Sequence, residues 1–250
     1  MSVVQPPLEL ELPQLLTHDG WVNHEGVAAA ASALALWALQ GGEVWLRSDS
    51  VAGKSHLLHA LATELGDAHL LQIANGEQMA EAGQLTAGWL QQLQQGRWWI
   101  IDITAGSLSA ERQLALFHII ERGRRDATPL VVGWRCDPAM ITKAELLTRL
   151  RAMQQLQMQP PSRDEPLLAV LAAVATQMQW EVKREVLRYM LDHSKRDFTL
   201  LLLALRQLHQ HSLQQQCRLS LVNIRELLSS QIVTIAPTDG CADRQRGDKR

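Results

Sequence analysis

Short apolar runs alternate with amphipathic stretches over the first 160 residues of the chain. The apolar runs predict strands at residues 44–46, 69–74, 97–102 and 130–134, with 155–159 as a further candidate. Apolar residues at helical spacing predict helices at residues 26–40, 54–65, 85–95, 109–124 and 138–151. Strands that alternate with helices are typical of a parallel sheet wrapped by helices. We therefore expect an α/β domain in this part of the chain.

After two prolines at positions 160–161 the pattern becomes helical throughout. It predicts four short helices, at residues 163–178, 183–193, 198–212 and 221–230. The apolar stripe of the third helix is expected to belong to a core and not to a cofactor site. Its members are Leu200, Leu201, Leu203, Ala204 and Leu208.

These patterns divide the chain into four segments. An extended N-terminal peptide is expected at residues 1–18, where prolines disfavour a helix. The α/β domain then covers residues 19–160, and a small all-helical lid domain covers 161–232. Residues 233–250 are poor in apolar side chains, so we expect them to form a disordered tail.

The turn between the first strand and its helix carries candidate phosphate-binding chemistry. Residues 48–55 read Ser-Asp-Ser-Val-Ala-Gly-Lys-Ser, and the final Gly-Lys-Ser matches a P-loop. In such a loop the helix N-terminus favours an anion, Lys54 reaches the terminal phosphates and the Ser55 hydroxyl binds Mg²⁺. The match is incomplete, because Ser48 replaces the first glycine and Asp49 must point outward. The alternative is a strand-turn-helix with Lys54 on the surface.

The third strand ends in an acid, Asp102. An apolar strand that ends in an acid downstream of a P-loop has the form of a Walker B element, whose carboxylate holds Mg²⁺ through water. Ile103 follows it, where an active ATPase of this type usually has a second acid. We therefore expect slow or absent hydrolysis by this chain alone. The alternative is that Asp102 caps the next turn.

Composition narrows the function classes. The formal net charge of −2 at pH 7 argues against a protein that coats DNA by itself, because that role needs a basic face. Cys136, Cys217 and Cys241 lack the spacing of metal ligands and are expected to be free thiols. No apolar run is long enough to cross a bilayer, so we expect a cytoplasmic protein without a membrane partner.

The N-terminal peptide carries a possible recognition motif. Gln5, Leu8 and Leu10 place one amide and two apolar side chains on an extended segment, which suits an apolar groove on another protein. The alternatives are an edge strand with alternating leucines, or a disordered end.

Several of these motifs together resemble the AAA+ module of DnaA, the bacterial replication initiator. The resemblance rests on Gly-Lys-Ser-His-Leu-Leu at 53–58, on Ile101-Asp102 at the strand end, on Leu-Thr-Arg-Leu at 147–150 and on the four-helix lid. It covers residues 19–228. We expect no DNA-binding helix-turn-helix domain after the lid. A module of this kind behind a Gln-x-x-Leu-x-Leu peptide resembles the Hda family of regulatory DnaA inactivators.

The resemblance implies ligands and partners. It implies that ADP or ATP binds with Mg²⁺, the latter held by Ser55 and Asp102, and that Arg149 is presented to nucleotide on a neighbouring DnaA subunit. It also implies that Gln5, Leu8 and Leu10 dock on the DNA polymerase sliding clamp (the beta subunit). DNA is then contacted only indirectly. A homodimer is a further candidate assembly, and the sequence leaves the oligomeric state open. The implied nucleotide-binding residues are Trp21, Val22, Val51, Ala52, Gly53, Lys54, Ser55 and His56.

The chain also departs from the family pattern. Val51 and Ile103 replace a loop glycine and the second acid, Gly133 and Trp134 replace polar sensor residues, and Phe198 stands where the lid carries a sensor arginine. Arg196 is near in sequence, but helical spacing turns it to another face.

Two alternatives to the regulator therefore stay open: an autonomous AAA+ NTPase or DnaA-like loader module, and a nucleotide-free scaffold. For Arg149 the alternative is a surface arginine paired with an acid such as Glu145. Arg151 and Arg135 are the next candidates for its role.

Overall fold

A five-stranded parallel sheet forms the centre of the α/β domain. The computed structural model describes residues 20–75, 81–94, 96–193 and 196–215, with only the backbone at 214 and 215. The strands pair in the order β2-β3-β4-β1-β5, and every pairing is parallel. All five predicted strands are confirmed. Their bounds are β1 (Glu43–Ser48), β2 (Ala68–Ile73), β3 (Trp98–Ile103), β4 (Leu130–Trp134) and β5 (Gln154–Met158).

Eight helices surround the sheet or follow it in the described part of the chain. Those of the α/β domain are α1 (Ala28–Gln40), α2 (Lys54–Leu65), α3 (Ala82–Leu93), α4 (Ala110–Arg125) and α5 (Ala144–Ala152). The lid contributes α6 (Asp164–Gln177), α7 (Arg184–His193) and α8 (Phe198–Gln215). The predicted fold class, a parallel sheet with flanking helices and then a helical lid, is confirmed.

The three central strands of the sheet, β1, β3 and β4, are buried on both faces. Successive residues of β3 alternate between two cores: Ile101 and Ile103 pack with α3, α4 and α5, whereas Ile100 packs with α1 and α2. This alternation follows from the period of two along a strand. Strands buried on both sides read as continuous apolar runs, which is why they were visible in the sequence.

Two predicted helix boundaries are confirmed by their caps. Gly41 follows α1 with φ of 76°, a left-handed conformation that glycine adopts without steric cost. The Ser109 hydroxyl accepts a hydrogen bond from the backbone N–H of Arg112 at 3.4 Å and so caps α4.

One predicted helix is wrong in extent. Residues 138–151 form a short 3-10 helix, Pro138–Met140, and then an extended segment before α5 begins. The reason is a side chain from α4, because Gln113 Oε1 accepts from the N–H groups of Thr142 and Lys143 at 2.9 and 3.1 Å. The two amides thus have a hydrogen-bond acceptor without forming a helix.

The lid encloses a core of its own, and the predicted stripe on α8 needs correction. Leu201, Ala204 and Leu208 are buried in it as predicted, but Leu203 is 44% exposed and Leu200 is only half-buried. Leu205, at the i+4 position from Leu201, lies in the core in their place.

Several predictions fall outside the described residues. They concern the N-terminal peptide 1–18 with Gln5, Leu8 and Leu10, the helix at 221–230, and the tail 233–250. The division into four segments stays a prediction. Among the residues described, no helix has the length and apolar character that a membrane crossing requires.

Candidate functional site

The turn from β1 into α2 has the backbone of an anion site. Gly53 precedes α2 with φ of 78° and ψ of 18°, the left-handed region that favours glycine. No side chain caps the start of this helix. The first N–H groups of α2 are therefore left for another acceptor, at the positive end of the helix dipole.

Lys54 and Asp102 meet beneath this turn. Lys54 Nζ lies 3.1 Å from Asp102 Oδ1, and the two side chains are 7% and 0% exposed. The lysine is thus not a surface residue. Asp102 Oδ2 is buried without a hydrogen-bond partner among the described residues, so this carboxylate does not cap a turn.

Gly133 makes room for this pair. It lies beside Asp102 across the β3–β4 ladder. A Cβ atom at Gly133 would stand 2.4 Å from Leu58 Cδ1 and 3.4 Å from the Lys54 side chain. The next residue, Trp134, is buried and donates its indole N–H to the carbonyl of Ala105 at 3.1 Å. The two residues that replace the polar sensor thus serve packing and the approach of Lys54.

The other unusual loop residues have structural roles as well. Asp49 is exposed, and its Oδ2 accepts from Gln157 Nε2 at 3.0 Å, so it points away from the anion site as the sequence required. Val51 packs against the apolar core of the lid. The residue in place of a loop glycine therefore joins the P-loop to the lid.

A narrow cleft separates the P-loop from the lid. Trp21 lies over Gly53 and makes an edge-to-face contact with His56, with ring centroids 5.5 Å apart. The enclosed volume of this cleft is about 50 Å³, whereas ligand clefts usually measure about 300–1,000 Å³. The cleft is therefore narrower than a typical ligand cleft. The lining includes Trp21, Val22, Ala52, Gly53, His56, Val174, Gln177 and Phe198.

The segment that carries Trp21 contacts residues 162–163, which directly precede the first lid helix, α6. The Glu25 carboxylate accepts from Ser162 Oγ at 2.9 Å and pairs with Arg163 Nε at 3.3 Å. A backbone hydrogen bond and these side-chain contacts lower the pKa of Glu25 to about 2. The neighbouring His24 is buried and accepts from the Gly26 N–H, and burial lowers its pKa despite the adjacent charge of Glu25.

The phosphate end of this site fits a nucleotide with its metal. The uncapped helix start and Lys54 suit phosphate oxygens, and the unpartnered Asp102 Oδ2 is an acceptor for a metal-bound water. Ser55 follows on the first turn of α2 and is half-buried. Among the described residues no cluster of three His, Cys, Asp or Glu side chains could hold a metal alone, so the ion would need phosphate ligands.

Arg149 lies apart from this site. Helix α5 packs on the sheet face opposite α2, through Leu146 and Leu150. Arg149 Nε lies 2.6 Å from Glu121 Oε1 on α4. The two groups form an ion pair, but their relative orientation is not that of a hydrogen bond. Arg149 is thus a partly exposed arginine paired with an acid, as in the alternative interpretation, with Glu121 in place of Glu145.

Arg196 does not substitute for the missing lid sensor. Its Nη1 lies 3.0 Å from Asp164 Oδ1, within the lid. Phe198 lines the cleft instead. The expectation that Arg196 faces elsewhere agrees with this ion pair.

The comparisons with known proteins bear on both domains. Residues 164–228 match the family model of the Hda lid domain. Domain III of the Thermotoga maritima replication initiation protein DnaA superposes with a TM-score of 0.63, at 16% identity, over 86% of this chain and 96% of that chain. Residues 164–228 thus match an Hda-type lid, and the chain shares the fold of DnaA domain III.

Other solved structures share the AAA+ fold. AMPPCP-bound DnaA from Aquifex aeolicus has a TM-score of 0.59 at 13% identity, over 96% of this chain and 79% of that chain. The Thermotoga maritima RuvB Holliday junction branch migration motor has a TM-score of 0.60 at 17% identity, over 87% and 72%. A search of curated proteins found no match.

The sequence did not reveal several residues around the cleft and around Arg149. Gln113 and Glu121 act across helices, and Val174 and Gln177 reach the cleft from the lid. Their contacts depend on how distant elements pack. For Gln113 one signal was present, a polar residue on the apolar face of α4.

Proposed function

We propose that this protein regulates replication initiation: bound to the sliding clamp on DNA, it promotes hydrolysis of ATP held by DnaA and so inactivates the initiator. The observation that carries the proposal is the position of Arg149. It is 38% exposed on α5, on the opposite face of the sheet from the chain's own P-loop helix. Such an arginine serves a nucleotide on a neighbouring molecule. The Hda-type lid supports DnaA as that neighbour.

The chemistry asked of Arg149 is charge stabilisation. Phosphoryl transfer spreads negative charge over the transferring oxygens, and an arginine supplied by a second protein accelerates the reaction by roughly 10³–10⁵. Guanidinium stays charged and binds two oxygens at once, which the compact ammonium of lysine does not. This role needs no hydrolysis by the regulator itself.

The chain's own site is proposed to hold ADP or ATP with Mg²⁺ and to turn it over slowly. Lys54 would leave Asp102 to bind the terminal phosphate, while Ser55 and Asp102 would hold the metal, directly and through water. Ile103 is fully buried and apolar, so the position of the second acid cannot polarise an attacking water. Bound nucleotide then acts as a structural ligand between P-loop and lid.

The clamp is proposed to bind Gln5, Leu8 and Leu10. Burial of each leucine is worth about 1.5–3 kcal/mol at best, and the ordering of a flexible terminus subtracts from it. Affinity should therefore be modest. Clamp loading would then concentrate the regulator on DNA without direct DNA contacts.

Hydrolysis by DnaA tests the proposal. DnaA loaded with labelled ATP is mixed with this protein, with clamp-loaded DNA, with both or with neither, and the conversion to ADP is followed. We expect acceleration only when both are present. Turnover of free ATP by this protein alone would support the autonomous NTPase or loader, and absence of both acceleration and nucleotide binding would support the scaffold.

The clamp contact needs its own test. Leu8→Ala/Leu10→Ala should abolish retention on immobilised clamp, and Leu15→Ala/Leu16→Ala, in the same segment but outside the motif, should not. Equal retention of the full chain and a chain without residues 1–12 would remove the clamp from the proposal.

A further inference from the structure

Glu121 holds one specific edge of the Arg149 guanidinium. Its Oε1 is shielded from solvent and lies 2.6 Å from Nε, on the side of the group nearest the arginine stem. The two terminal nitrogens of Arg149 have no hydrogen bond with any residue that the structure describes. The contact thus engages Nε and leaves the outer edge of the fork without a protein partner.

The helix that carries Arg149 is itself fixed against the helix that carries Glu121. At the start of α5, Gln113 Oε1 of α4 accepts from Thr142 Oγ1 at 3.2 Å in addition to the two backbone amides. Gln113 Nε2 donates to the Leu108 and Met140 carbonyls at 2.9 and 3.3 Å. The start of α5 is therefore fixed against α4 by the hydrogen bonds of Gln113, and the partly exposed Glu121 and Arg149 lie on these two helices.

We propose that Glu121 is a positioning residue that aims Arg149 at the nucleotide of the neighbouring molecule. This inference rests on the proposed function. Glu121 pairs with Nε, which limits rotation of a flexible side chain and presents both terminal nitrogens to phosphoryl oxygens as a preorganised fork. No proton moves between the two residues. Glu121 acts only through Arg149 and touches no substrate.

The competing possibility is a latch in which Glu121 withholds the arginine until a partner arrives. A latch would have to occupy the outer edge of the guanidinium, because that edge forms the two parallel hydrogen bonds to an anion. The observed contact is made to Nε, and no terminal nitrogen of Arg149 has a hydrogen bond with a described residue. Positioning and withholding predict opposite signs for removal of the carboxylate charge.

Glu121→Gln distinguishes positioning from withholding, because it keeps the shape of the side chain and removes its charge. The measurement is the rate of DnaA-bound ATP hydrolysis against the concentration of this protein, with clamp-loaded DNA present. An exposed ion pair couples weakly, so we expect the maximal rate to fall about threefold, with an unchanged half-saturating concentration. Glu145→Gln, an exposed acid on the same helix as Arg149, is the matched control and should leave both parameters unchanged.

The outcomes are distinct. A maximal rate that is unchanged or raised overturns positioning, and a raised rate establishes the latch. A fall that comes with a higher half-saturating concentration, or with a lower unfolding temperature, assigns Glu121 to the docking surface or to stability and also overturns it. If Arg149→Ala stimulates hydrolysis fully, the role of Arg149 fails and that of Glu121 with it, whatever Glu121→Gln does; if the wild-type protein gives no stimulation, the proposed function itself fails.

Discussion

Lys54 Nζ lies 3.1 Å from Asp102 Oδ1, and neither side chain is more than 7% exposed. A buried pair of this kind leaves an uncompensated charge when one partner is removed, at a cost of about 3–5 kcal/mol. We predict that Lys54→Met lowers the free energy of unfolding by about that amount. Urea unfolding measures it. Loss of ADP binding by this variant therefore needs a stability control.

The control is the double variant Lys54→Met/Asp102→Asn. It removes both charges, so most of the lost stability should return while nucleotide binding stays absent. Additive losses from the two single variants would contradict the ion pair as a thermodynamic unit.

Gly133→Ala tests the close approach beside this pair. The added methyl would stand 2.4 Å from Leu58 Cδ1, and Leu58 is fully buried. Overpacking of this kind costs about 1–3 kcal/mol, and displacement of the Lys54 stem should weaken ADP binding. Gly88→Ala is the matched control, since a Cβ there meets nothing within 4 Å, and an exposed helical glycine to alanine change stabilises by about 0.5–1 kcal/mol. A destabilisation equal in both variants would contradict the steric account.

Gln113→Leu tests the hydrogen bonds that join α4 to the start of α5. The change keeps the volume but leaves the Thr142 and Lys143 amides without their acceptor. An orphaned buried donor costs about 1–3 kcal/mol, so we expect a loss of about 2–4 kcal/mol in the free energy of unfolding. Gln91→Leu, at an exposed position on α3, should change it by less than about 0.5 kcal/mol. Similar changes in the free energy of unfolding for Gln113→Leu and Gln91→Leu would show that Gln113 does not hold α4 and α5 together.

Acidification should destabilise the fold before any carboxylate is protonated. Burial lowers the pKa of His24, His59 and His209 from the ordinary 6.5, so the unfolded chain binds protons more readily than the folded one. Stability is then fully present above pH 6.5 and falls as the pH drops through 6.5 toward the folded-state pKa values. Urea unfolding at pH 7.5 and 5.5 measures the loss.

His24→Asn should reduce that pH dependence, because the amide oxygen replaces Nδ1 as acceptor for the Gly26 N–H and does not titrate. Glu25 contributes with the same sign but at lower pH: its pKa near 2 gives stability that is present above about 4.5 and lost below it. A stability that is constant or rises from pH 7.5 to 5.5 would contradict the buried, neutral histidines.

The parts of the fold that sequence analysis recovered are those encoded locally. Strands buried on both faces appear as apolar runs, and Gly41 and Ser109 mark helix ends by chemistry within a few residues. The local pattern does not predict the backbone conformation where a side chain from another element determines it. The break between residues 140 and 144 depends on Gln113 of the preceding helix, and helical periodicity alone gave one continuous helix.

The candidate site divides in the same way. Gly53 and Lys54 are visible in the sequence as part of a strand-turn-helix motif, and Asp102 as the acid at the end of an apolar strand. Spacing along one helix offers Glu145 as an acid near Arg149, whereas the packing of α4 against α5 brings Glu121 beside it. Contacts across elements require the topology, which the spacing of residues does not contain.

The central claim is that Arg149 acts on ATP bound to DnaA. Single-turnover hydrolysis of ATP preloaded on DnaA, with clamp-loaded DNA and saturating regulator, tests it most directly when wild type, Arg149→Ala and Arg151→Ala are compared. Arg151 is an exposed cation two residues away and controls for the loss of surface charge. We predict that Arg149→Ala loses about 10³-fold of the stimulated rate or more, with clamp retention and ADP binding intact, and that Arg151→Ala stays near wild type. Stimulation by Arg149→Ala at the wild-type rate would contradict the account.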